Sequence, residues 1–369
     1  MAQANAAAYA NPASQHAEGR HARRTLEDAR EEISRLLGAD LTDRTPDRLI
    51  FTSGGTEANN LAILGLTGAN VARAGRMIIS SIEHPSVAAA ADFLAQRGWQ
   101  IDRLAVSRDG VVQLDLLDEL LAMPSPLGAP RLVSVMLANN ETGVLQPIAE
   151  IVRRCSTSAA PLPIHTDAVQ AVGKIPVRFR ELGVAAMSIA PHKFGGPRGI
   201  GALLVRHGID IQPILHGATQ QFGLRPGTES VALVLGFLAA LRAWDADRNE
   251  RPQRMAALRD RFETAIQTAY PHLKINGCVA PRLPHTSNVA FLGHDRQALF
   301  MALDMAGICC STGSACASGS SEPSPTLLAM GLAKEIVDSS LRFSIGPTTT
   351  ADEIDEALRR ISAVLADRR

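Results

Sequence analysis

Between residues 49 and 205 the chain alternates short apolar runs with helical patterns, and this alternation limits the fold more than any other feature. Strands are expected at 49–52, 77–80, 132–137, 163–165, 186–189 and 201–205. Several of these runs are apolar on both faces, the mark of a mostly parallel sheet covered by helices. Residues 25–37 place Leu26, Ala29, Ile33, Leu36 and Leu37 on one helical face and end at Gly38. A further helix is expected over 231–244, and the polar stretch 245–253 then marks a boundary. After it come a helix, a strand over 287–291, a second helix, a Gly/Ser-rich loop and a long helix from Ala351. The expected architecture is therefore α/β: a large domain over 1–245 and a smaller α+β domain over 246–369. A length of 369 residues agrees with two domains.

Charge and cysteine usage narrow the function classes. The chain carries 37 basic and 37 acidic residues, so a broad nucleic-acid or anionic-membrane surface is not expected. No apolar run is long enough to span a bilayer, and the first residues lack the pattern of a secretory signal. The five cysteines (Cys155, Cys278, Cys309, Cys310 and Cys316) are odd in number and not spaced as metal ligands. A reduced, cytoplasmic protein fits these observations.

Five segments carry chemistry. In Ser188-Ile-Ala-Pro-His192-Lys193-Phe-Gly195-Gly196, a lysine stands between an apolar strand and a glycine turn. A desolvated lysine there forms Schiff bases; a solvated turn lysine is the competing reading. The glycines precede a strand instead of opening a helix, which excludes a dinucleotide fingerprint. In His165-Thr-Asp167-Ala-Val-Gln170, a carboxylate ends a buried strand, where it can pair with a pyridinium nitrogen or cap a helix. Gln170 can reach the ring oxygen. Thr52-Ser53-Gly54-Gly55-Thr56-Glu57 joins a strand to a helix and suits either a phosphate cradle or ordinary capping. Cys316 lies in a run of Gly, Ser and Ala, as a loop nucleophile would, whereas Cys309 and Cys310 read as packing residues. Arg342, flanked by apolar residues in Leu341-Arg342-Phe343, needs an anion: a substrate carboxylate or a structural partner. A lysine, a pyridinium partner, a phosphate cradle, a carboxylate clamp and a loop thiol together point to amino-acid chemistry on pyridoxal 5'-phosphate.

At this point the residues resemble a known family. FTSGGTEANN, EHPSV, NNETGVLQPI, HTDAVQAVGK, HKFGGPRGIGAL, FGLRPGTES, STGSACASGSSEPS and LRFSIG, spread from Asn11 to Glu356, are similar to the class V aminotransferase group of fold-type I enzymes. Within that group they resemble the group I cysteine desulfurases that feed iron–sulfur cluster assembly. The resemblance implies that Lys193 forms the Schiff base with the cofactor, that Asp167 pairs with the pyridine nitrogen and Gln170 with the phenolic oxygen, and that His84 stacks on the ring. It assigns Gly55, Thr56 and His192 to the cofactor phosphate and Thr228 to the phosphate of the neighbouring subunit, which implies a homodimer. Asn140 and Arg342 would bind the substrate carboxylate, and Cys316 would take the sulfur of L-cysteine as a persulfide for an acceptor protein such as an iron–sulfur scaffold.

Three departures accompany the resemblance. Ala190 stands where the family usually has a phosphate-binding serine. His216-Gly-Ala-Thr-Gln-Gln replaces a His-Gly-Gly-Gly-Gln-Glu stretch. The family's first strand, with its Asp-Asn-Asn-Ala-Thr-Thr-Pro, is expected to be absent from the large domain. The competing functions are a selenocysteine lyase or another β-lyase of the same fold, and an impaired homologue acting as a dimerisation partner.

Overall fold

The computed structural model describes residues 10–68, 74–156, 162–313 and 322–366. The chain divides into two compact units. The first comprises residues up to 104, 114–137 and 147–247; the second takes 105–113, 138–146 and everything from 248.

The first unit holds a seven-stranded sheet: β1 (Arg48–Thr52), β2 (Arg76–Ser80), β3 (Gln100–Leu104), β4 (Leu132–Ser134), β5 (Ile164–Asp167), β6 (Ala186–Ile189) and β7 (Gly201–Val205). Their order is β1-β7-β6-β5-β4-β2-β3. β3, β2, β4, β5 and β6 run parallel, and β7 is antiparallel to both β6 and β1. Among the described residues seven α-helices belong to this unit: α1 (Ala17–Leu36), α2 (Gly55–Leu66), α3 (Pro85–Ala95), α4 (Leu114–Ala122), α5 (Ile148–Cys155), α6 (Phe179–Leu182) and α7 (Val231–Asp245). α1 starts eight residues before the expected helix because His16 caps it, accepting from the Gly19 N–H. β2, β4, β5, β6 and β7 are buried at every residue, as strands covered on both faces must be. β1 lies at one edge, where the Gln221 amide pairs with the backbone of Phe51: its Oε1 accepts from the N–H at 2.6 Å and its Nε2 donates to the carbonyl at 2.8 Å. A side chain thus covers a strand edge that would otherwise be open to pairing.

The second unit has a three-stranded antiparallel sheet, β8 (Lys274–Ile275), β9 (Thr286–Ala290) and β10 (Ser340–Ser344), in the order β10-β9-β8. Its helices are α8 (Arg251–Ala269), α9 (Arg296–Met305), α10 (Pro325–Ala329), α11 (Lys334–Val337) and α12 (Ala351–Ala366). Phe262, Val289, Phe291, Leu299, Leu341, Phe343 and Ile361 form its core. Among the described residues no helix is long and apolar enough to cross a membrane.

Candidate functional site

In the first unit the chemistry gathers where β5 and β6 end. The two strands pair in register, Asp167 opposite Ser188, so both chain segments leave the strands at the same edge of the sheet. Asp167 is buried, and both its oxygens accept: Oδ1 from the Val169 N–H at 2.9 Å and Oδ2 from Asn59 Nδ2 at 2.7 Å. Gln170 comes three residues later, half-buried. After β6 the chain makes a 3₁₀ turn, Pro191–Phe194, closed by Gly195 at φ +90°. This turn carries His192 and Lys193, and both are exposed. The sequence left a desolvated and a solvated lysine open; in this structure the side chain is exposed. Lys174 donates from Nζ to the Lys193 carbonyl, tying the turn to the segment after β5. Although the residue as a whole is exposed, partial desolvation of the ring lowers the His192 pKa, and the cations Lys193, Arg198 and Lys174 lower it further.

Across from these turns lies the start of α2. Gly54 stands at its N-cap and gives no side-chain cap, so no side chain takes its leading N–H groups there. The turn is packed backbone to backbone: a Cβ on Gly201 would come within 2.5 Å of the Gly54 carbonyl carbon. A Cβ on Gly54 itself would meet nothing within 4 Å, which leaves an open approach to the helix end. Thr56 is exposed beside it. Ala190 is fully buried and its methyl lies 3.5 Å from where a Gly55 Cβ would sit. Glu57 pairs with Arg225 at 2.9 Å and so fixes the segment leading to Thr228, which is exposed.

His84 caps α3. Its Nδ1 accepts from the Ser86 N–H at 3.1 Å and lies 2.7 Å from Ser86 Oγ. Burial lowers its pKa; the Asp167 charge opposes this and Lys193 reinforces it. Just before it, the Glu83 carboxyl accepts through Oε1 from Ser80 Oγ and from the Met136 N–H, while Oε2 is closed off from solvent with no hydrogen-bond partner among the described residues. Burial pushes this carboxyl up to about 8, and nearby Asp167 adds to the rise. Behind Asp167, His165 is wedged between Ser134 Oγ and Ser188 Oγ, each at 2.9 Å, and burial takes its pKa down to about 3.

These residues fit pyridoxal phosphate. The uncapped glycine start of α2 suits a dianionic phosphate, a buried carboxylate at a strand end suits a pyridinium nitrogen, and a lysine stands on the adjacent turn.

In the second unit Arg342 lies on β10. Its Nη1 donates to the Asn140 carbonyl at 2.8 Å, and Asn140 itself is half-buried. Burial lowers the guanidinium pKa, and Glu141 opposes the fall. Glu141 is buried with Oε2 accepting from Ser324 Oγ at 2.6 Å. Arg296, at the start of α9, donates to the carbonyls of Thr312 and Glu322 at 3.3 and 3.0 Å. Cys316 lies outside the described residues. Cys309 is exposed, contrary to its reading as a packing residue, whereas Cys310 is half-buried with its thiol pushed up to about 12. In the stretch 308–310 the alternate residues Ile308 and Cys310 face the core, and Cys309 between them faces out.

Asn59, Ser86, Glu83, Lys174 and Glu141 were not singled out from the sequence. Glu83 and Glu141 each adjoin a residue that was, but nothing local distinguishes a buried carboxyl from a solvated one.

The chain matches the family Aminotransferase class-V over residues 1–357. It is 38% identical over 357 residues to the cysteine desulfurase IscS of Dictyoglomus turgidum, covering 97% of this chain and 88% of that protein. It is 37% identical over 362 residues to the cysteine desulfurase NifS of Azotobacter vinelandii, covering 98% and 87%. The X-ray structure of a NifS-like protein from Rickettsia africae superposes with a TM-score of 0.86 at 32% identity, covering 96% of this chain and 92% of that one. The chain belongs to the class-V aminotransferase family.

Proposed function

We propose that the protein is a pyridoxal 5'-phosphate-dependent cysteine desulfurase that converts L-cysteine to L-alanine and leaves the sulfur as a persulfide on Cys316. The observation that carries this reading is the convergence, at the ends of β5 and β6, of the doubly hydrogen-bonded Asp167 with the turn of His192 and Lys193.

When bound, the cofactor supplies an electron sink for the bond-breaking at the substrate carbons. Asp167 keeps the ring nitrogen protonated and Gln170 donates to the phenolic oxygen. Gly55, Thr56 and His192 hold the phosphate, aided by the N–H groups of α2. Lys193 attaches the cofactor and moves the Cα proton, and His84 covers the ring. Arg342, with Asn140, binds the substrate carboxylate through its remaining N–H groups. The Cys316 thiolate attacks the substrate sulfur. An S–S bond forms, the Cβ–S bond breaks with its electron pair going to carbon, and a proton taken up there gives alanine. Thr228 serves the phosphate of a second copy in a homodimer. The persulfide then passes to an acceptor protein of the iron–sulfur scaffold kind, in the cytoplasm.

Incubation with L-cysteine, with alanine and protein-bound persulfide assayed together, tests this. Both products should appear in equal amounts before an acceptor is added, and Lys193→Ala should abolish them. Cys316→Ala should still bind L-cysteine, seen as a spectral change, yet form no persulfide. Alanine production undiminished in Cys316→Ala would sink the thiol's role. Retained release of selenium from selenocysteine by that variant would favour a lyase.

A further inference from the structure

Asn59 lies on the face of α2 that meets the sheet and is 1% exposed. Its Nδ2 donates to Asp167 Oδ2 at 2.7 Å and to Ser86 Oγ at 2.8 Å. The amide has only one workable orientation, because the reverse would set its oxygen against the carboxylate. Ser86 Oγ therefore accepts from Asn59, and its own hydrogen is left to donate to His84 Nδ1 at 2.7 Å. The Ser86 backbone N–H, a group that can only donate, points at the same nitrogen. Nδ1 thus accepts, and the proton of the neutral ring sits on Nε2.

The residue is not explained by stability alone. Asn59 Oδ1 is buried and has no hydrogen-bond partner among the described residues. An unsatisfied buried carbonyl is a cost that a leucine of similar size would avoid.

We propose that Asn59 is a positioning residue which, through Ser86, fixes His84 as its Nε2–H tautomer and locks the Asp167 carboxylate to it. This rests on the reading of Asp167 and His84 as cofactor residues. The charged groups facing the imidazole are Asp167 at the end of β5 and Lys193 on the 3₁₀ turn, with Glu83 next to it in the chain and repelled by the Asp167 charge. Donors to Nδ1 favour the neutral ring; Asn59→Leu frees the Ser86 hydroxyl to turn away from Nδ1 and Ser86→Ala removes it, and either change raises the ring's pKa. Freeing Asp167 of the amide leaves its charge less neutralised and acts in the same direction.

Nitrogen-15 spectra of the imidazoles, recorded on the full chain without cofactor, read the tautomer directly. The wild type should show His84 protonated at Nε2. Asn59→Leu should raise its titration midpoint by about half to one pH unit. Ser86→Ala keeps the backbone N–H and should raise it by less, and it supplies the answer if the leucine variant folds poorly. With cofactor bound, the acidic limb of kcat/KM in Asn59→Leu should move up by the same amount. A wild-type ring protonated at Nδ1, or a midpoint unmoved in both variants, would overturn the proposal. A moved midpoint with an unmoved limb would uphold the hydrogen-bond assignment and remove His84 from turnover.

Discussion

Two buried carboxyls, one in each unit, sit in opposite company. Glu83 in the first unit faces another carboxylate, Asp167, and is pushed up to about 8. Glu141 in the second unit is also raised by burial, but hydrogen bonds from Ser324 and Thr326 and the charges of Arg342 and Arg296 pull it back. Burial does the same thing to both groups; the neighbours differ in sign. The first unit gathers negative charge beneath a site read as holding a pyridinium, and the second gathers positive charge where a substrate carboxylate is read to bind. A buried like-charge pair is tolerated only when one member stays protonated. Burial, and to a smaller degree the Asp167 charge, push Glu83 towards that protonated state.

The most severe way to break this contrast is to neutralise Asp167. Asp167→Asn keeps the shape and the Val169 contact but cannot hold a proton on the ring nitrogen. Turnover of L-cysteine should fall roughly 10³-fold with cofactor still bound. Steady-state alanine production and the absorbance of the bound cofactor check both halves of that statement. A kcat within a factor of two of wild type would reduce Asp167 to a hydrogen-bonding partner of α2.

On the other unit the corresponding change is Arg342→Lys. It keeps the charge opposite Glu141 but loses the fork that bonds the Asn140 carbonyl while leaving N–H groups for a carboxylate. KM for L-cysteine should rise about 30–100-fold, with kcat changed much less. A fall in kcat at unchanged KM would mean that Arg342 acts on the reaction and not on binding.

Much of this arrangement was legible in the residues. The mostly parallel sheet followed from runs apolar on both faces, and five strands covered that way lie where expected. β3 was missed because Gln-Ile-Asp-Arg-Leu is an edge strand, mostly half-exposed, with no apolar pattern to read. His84 was read only from the resemblance to the family, whereas Lys193 and Asp167 stand in short motifs with glycines or a strand end beside them, and such surroundings leave a local mark. Asn59 leaves none. It is one of two adjacent asparagines in a helix, and only the packing of α2 on the sheet decides that the first is buried against Asp167 while the second bonds the Thr56 carbonyl. Segments 105–113 and 138–146 likewise join the second unit through pairings distant in sequence, such as Val144 with Arg282.

The protonation of Glu83 gives a stability test of the contrast. Its folded pKa, about 8, lies above the ordinary carboxylate value of 4.5. The fold therefore loses no stability from this group below that ordinary value. It loses stability steadily as pH rises towards 8, where the unfolded chain is ionised and the folded one is not. Glu83→Gln removes the titration. Its stability should fall less than that of wild type between pH 5 and 8, by on the order of 3 kcal/mol, measured by urea unfolding across that range. Parallel pH profiles for the two proteins would mean that Glu83 is ionised in the fold and that the like-charge pair is real.

The smallest expected effect comes from making Glu141 resemble Glu83. Arg296→Met keeps the aliphatic stem at the head of α9 but removes one of the two guanidiniums that hold Glu141 down. It also strips a donor from the carbonyls of Thr312 and Glu322. The lost bonds should cost about 1–2 kcal/mol at pH 5. A second loss should then grow with pH, because a carboxyl raised further above its unfolded value loses stability as pH climbs from the unfolded pKa to the folded one. Arg296→Lys restores the charge without the fork, so it should recover the pH-dependent part and leave the constant part. That split separates the two roles of one guanidinium. If Arg296→Met is destabilised equally at pH 5 and pH 8, Arg342 alone compensates Glu141, and the positive side of the second unit rests on that residue.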